Sequence, residues 1–265
     1  MMTIKNYVRP ETLEEAWQLN QKRTNRIIGG MLWLKMGSGN VNTVIDLSDL
    51  ELNAIEETEE EFFIGAYATL RQLELHAGLN TYTNCAVRDA VKDIIGVQFR
   101  NLATVGGSIW GRFGFSDVLT VFLSMDCYVE LYKGGIVPLP EFAQMKKDND
   151  ILLRLIVKKL PGAFCYNAVR IQRTDFPVLT CAASEINGTI RLSIGARPGK
   201  ALIVADEEEL LKEGITEECA AAFAEYAAAH VKTEGNIRGS AAYRTQLIRV
   251  LTRRTLLALK GGEAC

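Results

Sequence analysis

Two glycine pairs lie in segments whose residue types could bind an anion. The first pair stands in "NRIIGGMLWLKMG", residues 25–37, and the second in "RNLATVGGSIWG", residues 100–111. Adjacent glycines let the backbone turn sharply and approach a ligand, because no side chain intervenes. Exposed main-chain N–H groups can then bind an anion, and the hydroxyls of Thr104 and Ser108 add hydrogen-bonding groups. We therefore interpret both segments as loops, with phosphate as a candidate ligand.

Strands and helices on either side must position these two segments. Thr12 is a predicted N-cap for a short helix, and Ser116 caps another whose first turn carries Asp117, where the helix dipole favours a carboxylate. The residues before the first glycine pair predict a buried strand. Further strands are predicted in 42–48 and 60–68, and further helices in 69–77 and 86–96.

The pattern changes near residue 160, where a hydrophobic strand in 151–162 closes at a Pro-Gly pair. Asn187-Gly188 then separates two strand-like runs, which is the strongest short hairpin signal in a sequence. Two helices follow, an alanine-rich one in 217–231 and a final one in 240–260. The sequence therefore predicts an α+β fold with a second domain that combines an antiparallel sheet with C-terminal helices.

Composition places the chain among ordinary globular proteins. It has 265 residues, 48% of them hydrophobic and 23% charged, and a formal net charge of −2, so a nucleic-acid-binding surface is not expected. No run of residues has the apolar length of a signal peptide or a membrane span. We expect a soluble cytoplasmic protein.

Metal binding is also not expected. The six cysteines stand singly, without the close Cys-x-x-Cys spacing of zinc or iron–sulfur ligands, so we expect buried reduced thiols. His76 and His230 lie far apart in sequence and are interpreted as packing or surface residues.

Several motifs, in order along the chain, resemble those of one known family. "RNLATVGGS", followed by "SDVLTVFLSMDCYVEL", is similar to the flavin-binding motif in the FAD subunits of molybdenum hydroxylases. This family includes the medium subunits of xanthine dehydrogenase and carbon monoxide dehydrogenase. "RPETLEEAWQL", "IIGGMLWLKM", "GARPGKA" and "IRGSAAYRTQLIRVLTRRTL" resemble its opening helix, first FAD loop, glycine-proline turn and closing helix.

The resemblance implies a domain order and a set of cofactor-binding residues. Residues 1–160 would form a two-part FAD-binding domain of the PCMH type, divided near residue 55. Residues 161–265 would form a smaller α+β domain like the C-terminal domain of the carbon monoxide dehydrogenase flavoprotein. The implied FAD-binding residues are Ile27, Ile28, Gly29, Gly30, Met31, Leu32, Trp33, Leu34, Ile94, Thr104, Val105, Gly106, Gly107, Ser108, Asp117 and Leu152.

The chemistry of the implied FAD-binding residues suggests a role for each group of them. A purely structural explanation is also open for several. The backbone of the first segment suits the FAD pyrophosphate, and the acceptor-only carboxylate of Asp117 suits ribityl or ribose hydroxyls. The alternatives are a structural turn for the first segment, a helix-stabilising acid for Asp117 and a core residue for Leu152. The chain departs from the family at Met31-Leu32, where a polar pair is usual, at Ser108, where Asn is usual, and in the aromatic stretch 110–115.

The resemblance also implies a function. FAD would be the cofactor of an electron-transfer subunit in a xanthine dehydrogenase-like oxidoreductase, and no side-chain acid or base would be needed. Separate iron–sulfur and molybdopterin subunits would be its partners, with NAD or another carrier as electron acceptor. A flavin-free scaffold subunit of the same kind of complex is the alternative, supported by the departures from the motif. A self-contained flavin oxidase ranks third.

Overall fold

The computed structural model describes residues 2–261 and contains a small parallel sheet at its N-terminal end. This sheet has the order β1-β3-β2, with β1 Met2–Val8, β2 Asn25–Ile28 and β3 Gly39–Asp46. Helix α1, Leu13–Asn20, connects β1 to β2, and the hydroxyl of Thr12 accepts a hydrogen bond from the Glu15 N–H at 3.2 Å. The predicted cap, helix and strands are thus confirmed here.

A second sheet follows, with five strands in the order β4-β5-β8-β6-β7. Pairing is antiparallel between β4 and β5 and between β6 and both β7 and β8. The strands are β4 Ile55–Glu57, β5 Glu61–Gly65, β6 Cys127–Leu131, β7 Gly135–Pro138 and β8 Leu152–Lys158. Short helices occur along this part of the chain: α2 Leu70–Leu75, α3 Ala77–Tyr82, α4 Ala86–Val91, α5 Val97–Arg100, α6 Val105–Gly111, α7 Asp117–Leu123 and α8 Leu139–Gln144.

The third sheet is antiparallel, in the order β12-β11-β10-β9. Asn187 and Gly188 have φ values of +50° and +76° and join β10 to β11, as their sequence predicts. The strands are β9 Gly162–Arg170, β10 Pro177–Ile186, β11 Thr189–Gly195 and β12 Leu202–Val204, and the helices α9 Glu217–His230 and α10 Ala241–Gly261 follow. The predicted α+β fold is confirmed.

The described chain divides into two compact units that interleave in sequence. The first unit contains the chain through Gln72, Val97–Gly111 and Cys127–Val157, and the second contains Leu73–Gly96, Arg112–Asp126 and the chain from Lys158 onward. A core around Ile45, Leu47 and Ile151 belongs to the first unit. In the second unit, a larger core joins the third sheet to α9 and α10.

The cysteines follow the sequence expectation only in part. Cys127 and Cys181 are buried and free, and Cys85 and Cys219 are free but partly exposed. Cys165 is buried, as expected. Cys265 lies outside the described residues.

Both histidines have contacts within the protein. His76 caps α3, because its Nδ1 accepts the Leu79 N–H at 3.1 Å, and His230 packs on the Tyr226 ring at 4.1 Å between centroids. Within residues 2–261, no group of three or more His, Cys, Asp or Glu side chains could hold a metal ion. Of the helices in the same range, none combines the length and hydropathy that a membrane span requires.

Candidate functional site

A run of main-chain donors without internal partners follows strand β2. Among the hydrogen bonds of residues 2–261, none is donated by the N–H groups of Gly29, Gly30, Met31, Leu32 or Leu34. We call residues 29–34 the donor segment. Gly29 is exposed and Gly30 is partly exposed. Folded proteins rarely leave such donors unpaired, so these groups require water or a ligand, and successive N–H groups suit an anion.

The two glycines of this segment are required by close packing within the first compact unit. A Cβ atom on Gly30 would lie 1.8 Å from the Leu102 carbonyl oxygen, and one on Gly29 would lie 2.6 Å from Thr104 Oγ1. Residues 102–104 belong to the second glycine-containing segment of the sequence. The structure therefore brings the two predicted segments together, and glycine is the residue that permits this approach.

The second segment is not the loop that its sequence predicts. Helix α6 begins at Val105, and the Thr104 hydroxyl accepts the Gly107 N–H at 3.1 Å. The remaining N–H groups from 105 to 108 donate to main-chain carbonyls: Val105 to Ala68 at 2.8 Å, Gly106 to Ala66 at 2.7 Å and Ser108 to Thr104 at 3.1 Å. The loop prediction is wrong because Thr104 caps a helix that two glycines do not prevent.

The side chains of Met31 and Leu34 in the donor segment pack against a buried cluster. Met31, at φ +55°, and Leu34 pack against the buried cluster of Ile28, Val41 and Val44. Met31 stands where the family usually has a polar residue. This packing gives its apolar side chain a structural role and leaves the main-chain donors in place.

The first unit also contains the other predicted residues Ile27, Leu32, Trp33, Ser108 and Leu152. Ile27 precedes it in β2 and packs partly buried against the core around Ile45. Leu32 is half-buried and Trp33 is 40% exposed. The Ser108 hydroxyl donates to the Thr104 carbonyl oxygen at 3.1 Å. Leu152 is buried at the start of β8, opposite Leu131.

Asp117 belongs to the second compact unit and has two strong partners there. Its Oδ1 accepts the Tyr166 hydroxyl and Nη2 of Arg170, the latter at 2.6 Å. The carboxyl is buried, and burial raises its pKa to about 6 even though Arg170 and Tyr166 act to lower it. Tyr166 was not among the residues predicted from the sequence. Residues four apart in a strand share a face, so the Tyr166–Arg170 spacing in β9 was the available signal.

Ile94 and the aromatic stretch occupy other surroundings. Ile94 follows α4 in the second unit and is half-buried, and its N–H donates to the Val91 carbonyl oxygen at 3.0 Å. In the same unit, the rings of Phe113 and Phe115 stack with centroids 5.3 Å apart, and Phe115 meets Phe176 edge-on at 4.6 Å. Phe113 and Phe115 thus pack on each other, whereas Trp110, in the first unit, packs on Phe142 with centroids 5.8 Å apart.

The protein has an α+β fold, and its donor segment presents main-chain N–H groups that suit an anion. Residues 2–160 match the family model described as "FAD binding domain in molybdopterin dehydrogenase". Residues 164–259 match the "CO dehydrogenase flavoprotein C-terminal domain". The chain therefore belongs to the family of FAD-binding medium subunits of molybdenum hydroxylases, and it is a subunit of an oxidoreductase. The resemblance is confirmed.

Individual relatives agree with this family over nearly their whole lengths. The nicotine 6-hydroxylase medium subunit of Paenarthrobacter nicotinovorans is 25% identical and covers 95% of each chain. YgfM of Escherichia coli K12 is 24% identical, and the match covers 94% of this chain and 93% of YgfM. Among solved structures, carbon monoxide dehydrogenase from Hydrogenophaga pseudoflava matches with a TM-score of 0.87 at 21% identity over 98% of both chains. This structural match establishes the fold.

Proposed function

We propose that the chain binds FAD and transfers electrons within a multi-subunit molybdenum hydroxylase. The donor segment is the observation that carries the proposal. Five N–H groups without internal partners are grouped at Gly29–Leu34, and a diphosphate needs several convergent donors more than it needs a lysine. The fit is chemical as well as spatial, because both glycines leave the main chain accessible.

The proposed roles of the other predicted residues follow from their surroundings. Thr104 supports the donor segment, because its hydroxyl packs on Gly29 and caps α6. Val105, Gly106 and Ser108 have paired N–H groups, so we assign them supporting roles. Leu152 and Ile94 would supply apolar contacts. Asp117 stays a separate proposal, as an acceptor for sugar or ribityl hydroxyls.

Bound FAD would supply the redox chemistry, because it exchanges two electrons as a hydride and passes them on singly. The chain itself would bind and orient the cofactor and exclude water from it. A P. nicotinovorans relative is named a medium subunit, which supports assembly with other subunits. We propose that these are an iron–sulfur and a molybdopterin subunit, with NAD or another carrier as acceptor. We further propose that the FAD-binding domain ends at residue 160 and that the C-terminal domain begins at residue 161.

Two matched glycine variants test the FAD site. In Gly30→Ala, the new Cβ would lie 1.8 Å from the Leu102 carbonyl oxygen, and in Gly162→Ala it would lie 2.4 Å from that of Glu185. Both collide with backbone, but only the first disturbs the donor segment. We expect FAD titration to show at least tenfold weaker binding for Gly30→Ala and little change for folded Gly162→Ala. A wild-type chain that takes up no FAD would favour the flavin-free scaffold.

The electron-transfer proposal needs a separate test. FAD-loaded protein is mixed with NADH without oxygen, and the flavin absorbance is followed by stopped flow. Rapid bleaching would support NAD as the redox partner. Bleaching by a reduced iron–sulfur subunit, but not by NADH, would support electron transfer with a different carrier. No bleaching by either reductant would contradict electron transfer.

A further inference from the structure

We infer that Tyr67 is a positioning residue for the diphosphate-binding donor segment, an inference that rests on the proposed function. Tyr67 follows strand β5 in the first compact unit. Its hydroxyl donates a hydrogen bond to the Ile28 carbonyl oxygen and accepts one from the Leu47 N–H at 2.9 Å. It thereby ties the end of β2 to the residue after β3.

The bonded carbonyl belongs to the same peptide unit as the first free donor. Ile28 is the last residue of β2, and its C=O shares a peptide plane with the N–H of Gly29. In a trans peptide these two groups point in opposite directions. When Tyr67 fixes the Ile28 carbonyl, it therefore also fixes the direction of the Gly29 N–H. The bond further polarises this peptide, which strengthens the N–H as a donor.

The Tyr67 hydroxyl is itself held firmly. The aromatic ring packs against the core around Ile45, Leu47 and Ile151. Burial raises the pKa of the phenol well above its usual range, so the hydroxyl stays a neutral donor at ordinary pH. A rigid ring and a protonated hydroxyl are what a positioning role requires.

The donor segment is restrained at its following residues too. Gly30 lies against the Leu102 carbonyl, and Met31 is anchored by its packing on Ile28 and its neighbours. Tyr67 supplies the restraint at the beginning, where the chain leaves β2. Removing the hydroxyl frees the first peptide plane while the later contacts stay in place.

Tyr82 provides a matched control for a Tyr67→Phe variant. Its hydroxyl donates to the Lys158 carbonyl at 2.9 Å and accepts the Leu160 N–H at 3.1 Å, all within the second compact unit. Tyr67→Phe and Tyr82→Phe thus each remove one phenol that bridges main-chain groups. A merely structural role predicts that both lower the melting temperature and that neither changes FAD binding.

The test measures FAD affinity, melting temperature and the 31P NMR spectrum of bound FAD for wild type and both variants. We expect Tyr67→Phe to raise the Kd for FAD at least fivefold and to shift the diphosphate resonances. Tyr82→Phe should leave the Kd within twofold and the resonances unchanged. If Tyr67→Phe does not fold, 3,5-difluorotyrosine at position 67 is the second variant. It keeps both hydrogen bonds of the hydroxyl and makes that hydroxyl a stronger donor, so it should also shift the diphosphate resonances.

Failure of this inference is distinguishable from failure of the proposed function. If the wild-type chain binds neither FAD nor ADP, the diphosphate site itself is wrong. If wild type binds FAD, Gly30→Ala loses it and Tyr67→Phe binds like wild type without a change in the 31P spectrum, then the positioning role of Tyr67 is overturned. An unshifted spectrum in the difluorotyrosine protein would overturn it as well.

Discussion

At the residue scale, Gly106 and Gly107 are neighbours that meet different surroundings. Gly106 is buried, and a Cβ on it would lie 2.7 Å from the Ala66 carbonyl oxygen. Gly107 is exposed, and its nearest neighbour in that direction would be Thr104 Oγ1 at 3.1 Å. Gly106 therefore serves the packing of α6, whereas Gly107 keeps the surface beside the Thr104 cap open.

This difference predicts opposite effects of alanine at the two positions. Gly106→Ala should lower the free energy of unfolding of the FAD-free chain by about 1–3 kcal/mol, because backbone must move. Gly107→Ala should leave the free energy of unfolding almost unchanged or raise it slightly, since alanine favours a helix. Urea unfolding of the two apo proteins measures this. Equal losses would contradict the assigned roles.

The buried Asp117 carboxyl predicts a pH dependence of stability. Its pKa is about 6 in the folded protein, against 3.8 as the ordinary value, because burial outweighs the effects of Arg170 and Tyr166. The native state therefore holds a proton that the unfolded chain has released between these pH values. The contribution of this group to stability is fully present below about pH 4 and is lost as the pH rises through about 6.

Asp117→Asn removes this titration and keeps the shape of the side chain. The free energy of unfolding of the variant, minus that of wild type, should increase by up to about 3 kcal/mol from pH 3.5 to pH 7, at 1.36 kcal/mol per pKa unit. Urea unfolding across this range measures it. Asp175→Asn, at a partly exposed carboxyl in the same unit, is the control for the amide substitution itself. A falling or constant difference for Asp117→Asn would refute the assignment.

At the element scale, local signals in the sequence were sufficient for most helices and for the hairpin. Thr12 and Ser116 cap α1 and α7 as expected, and Asn187-Gly188 forms its turn, because each signal acts between near neighbours in sequence. Contacts between distant residues were missed. Tyr67 reaches Ile28 across 39 positions, and nothing in either local sequence indicates this pairing.

The buried guanidinium of Arg244, in helix α10, also makes hydrogen bonds to residues that are distant in sequence. Its Nε donates to the carbonyls of Val178 and Ala196 at 2.9 and 3.2 Å, and its Nη1 to those of Glu234 and Gly239 at 2.7 and 2.6 Å. Nη2 donates to the Asn236 side chain at 2.7 Å. One residue thereby connects α10, the third sheet and the turn at 234–239.

Lysine cannot replace this arginine, since an ammonium has three donors and lacks the planar fork. Arg244→Lys should lower the free energy of unfolding by roughly 2–4 kcal/mol, because buried carbonyls lose their donors. Cleavage by protease within 234–239 should also increase. Arg249, also in α10, forms an exposed ion pair with Glu225 of α9. Arg249→Lys is therefore the control and should cost about 1 kcal/mol or less. Equal effects would contradict the role of Arg244.

At the scale of the whole molecule, sequence order and compact units divide the chain differently. The family models meet between residues 160 and 164, whereas the second compact unit includes Leu73–Gly96 and Arg112–Asp126 together with the chain from Lys158. Helix α7 in this unit is buried along its whole length and packs on β10 and β11, and α4 packs on β9. Helices before residue 160 thus pack on strands after it.

Hydrogen bonds reinforce the packing of α7 on the third sheet. Thr120 Oγ1 lies 3.0 Å from Thr180 Oγ1, and the Ser193 hydroxyl donates to the Thr120 carbonyl oxygen at 2.7 Å. Ser184 donates to the Ser124 carbonyl oxygen at the end of the helix. A chain cut after residue 160 loses Thr180, Ser184 and Ser193, and with them all three of these hydrogen bonds. It also exposes apolar side chains worth about 1.5–3 kcal/mol each when fully buried.

We therefore predict that residues 1–160 do not fold stably by themselves, although one family model spans nearly this whole range. The fragment should aggregate or bind a hydrophobic dye strongly, and it should bind FAD far more weakly than the full chain. Size-exclusion chromatography, dye fluorescence and FAD titration of the fragment and the full chain, purified in the same way, measure these properties. A monomeric fragment with dispersed amide resonances and wild-type FAD affinity would show that α4 and α7 fold without the third sheet. Packing across the interleaved segments would then not be needed for stability.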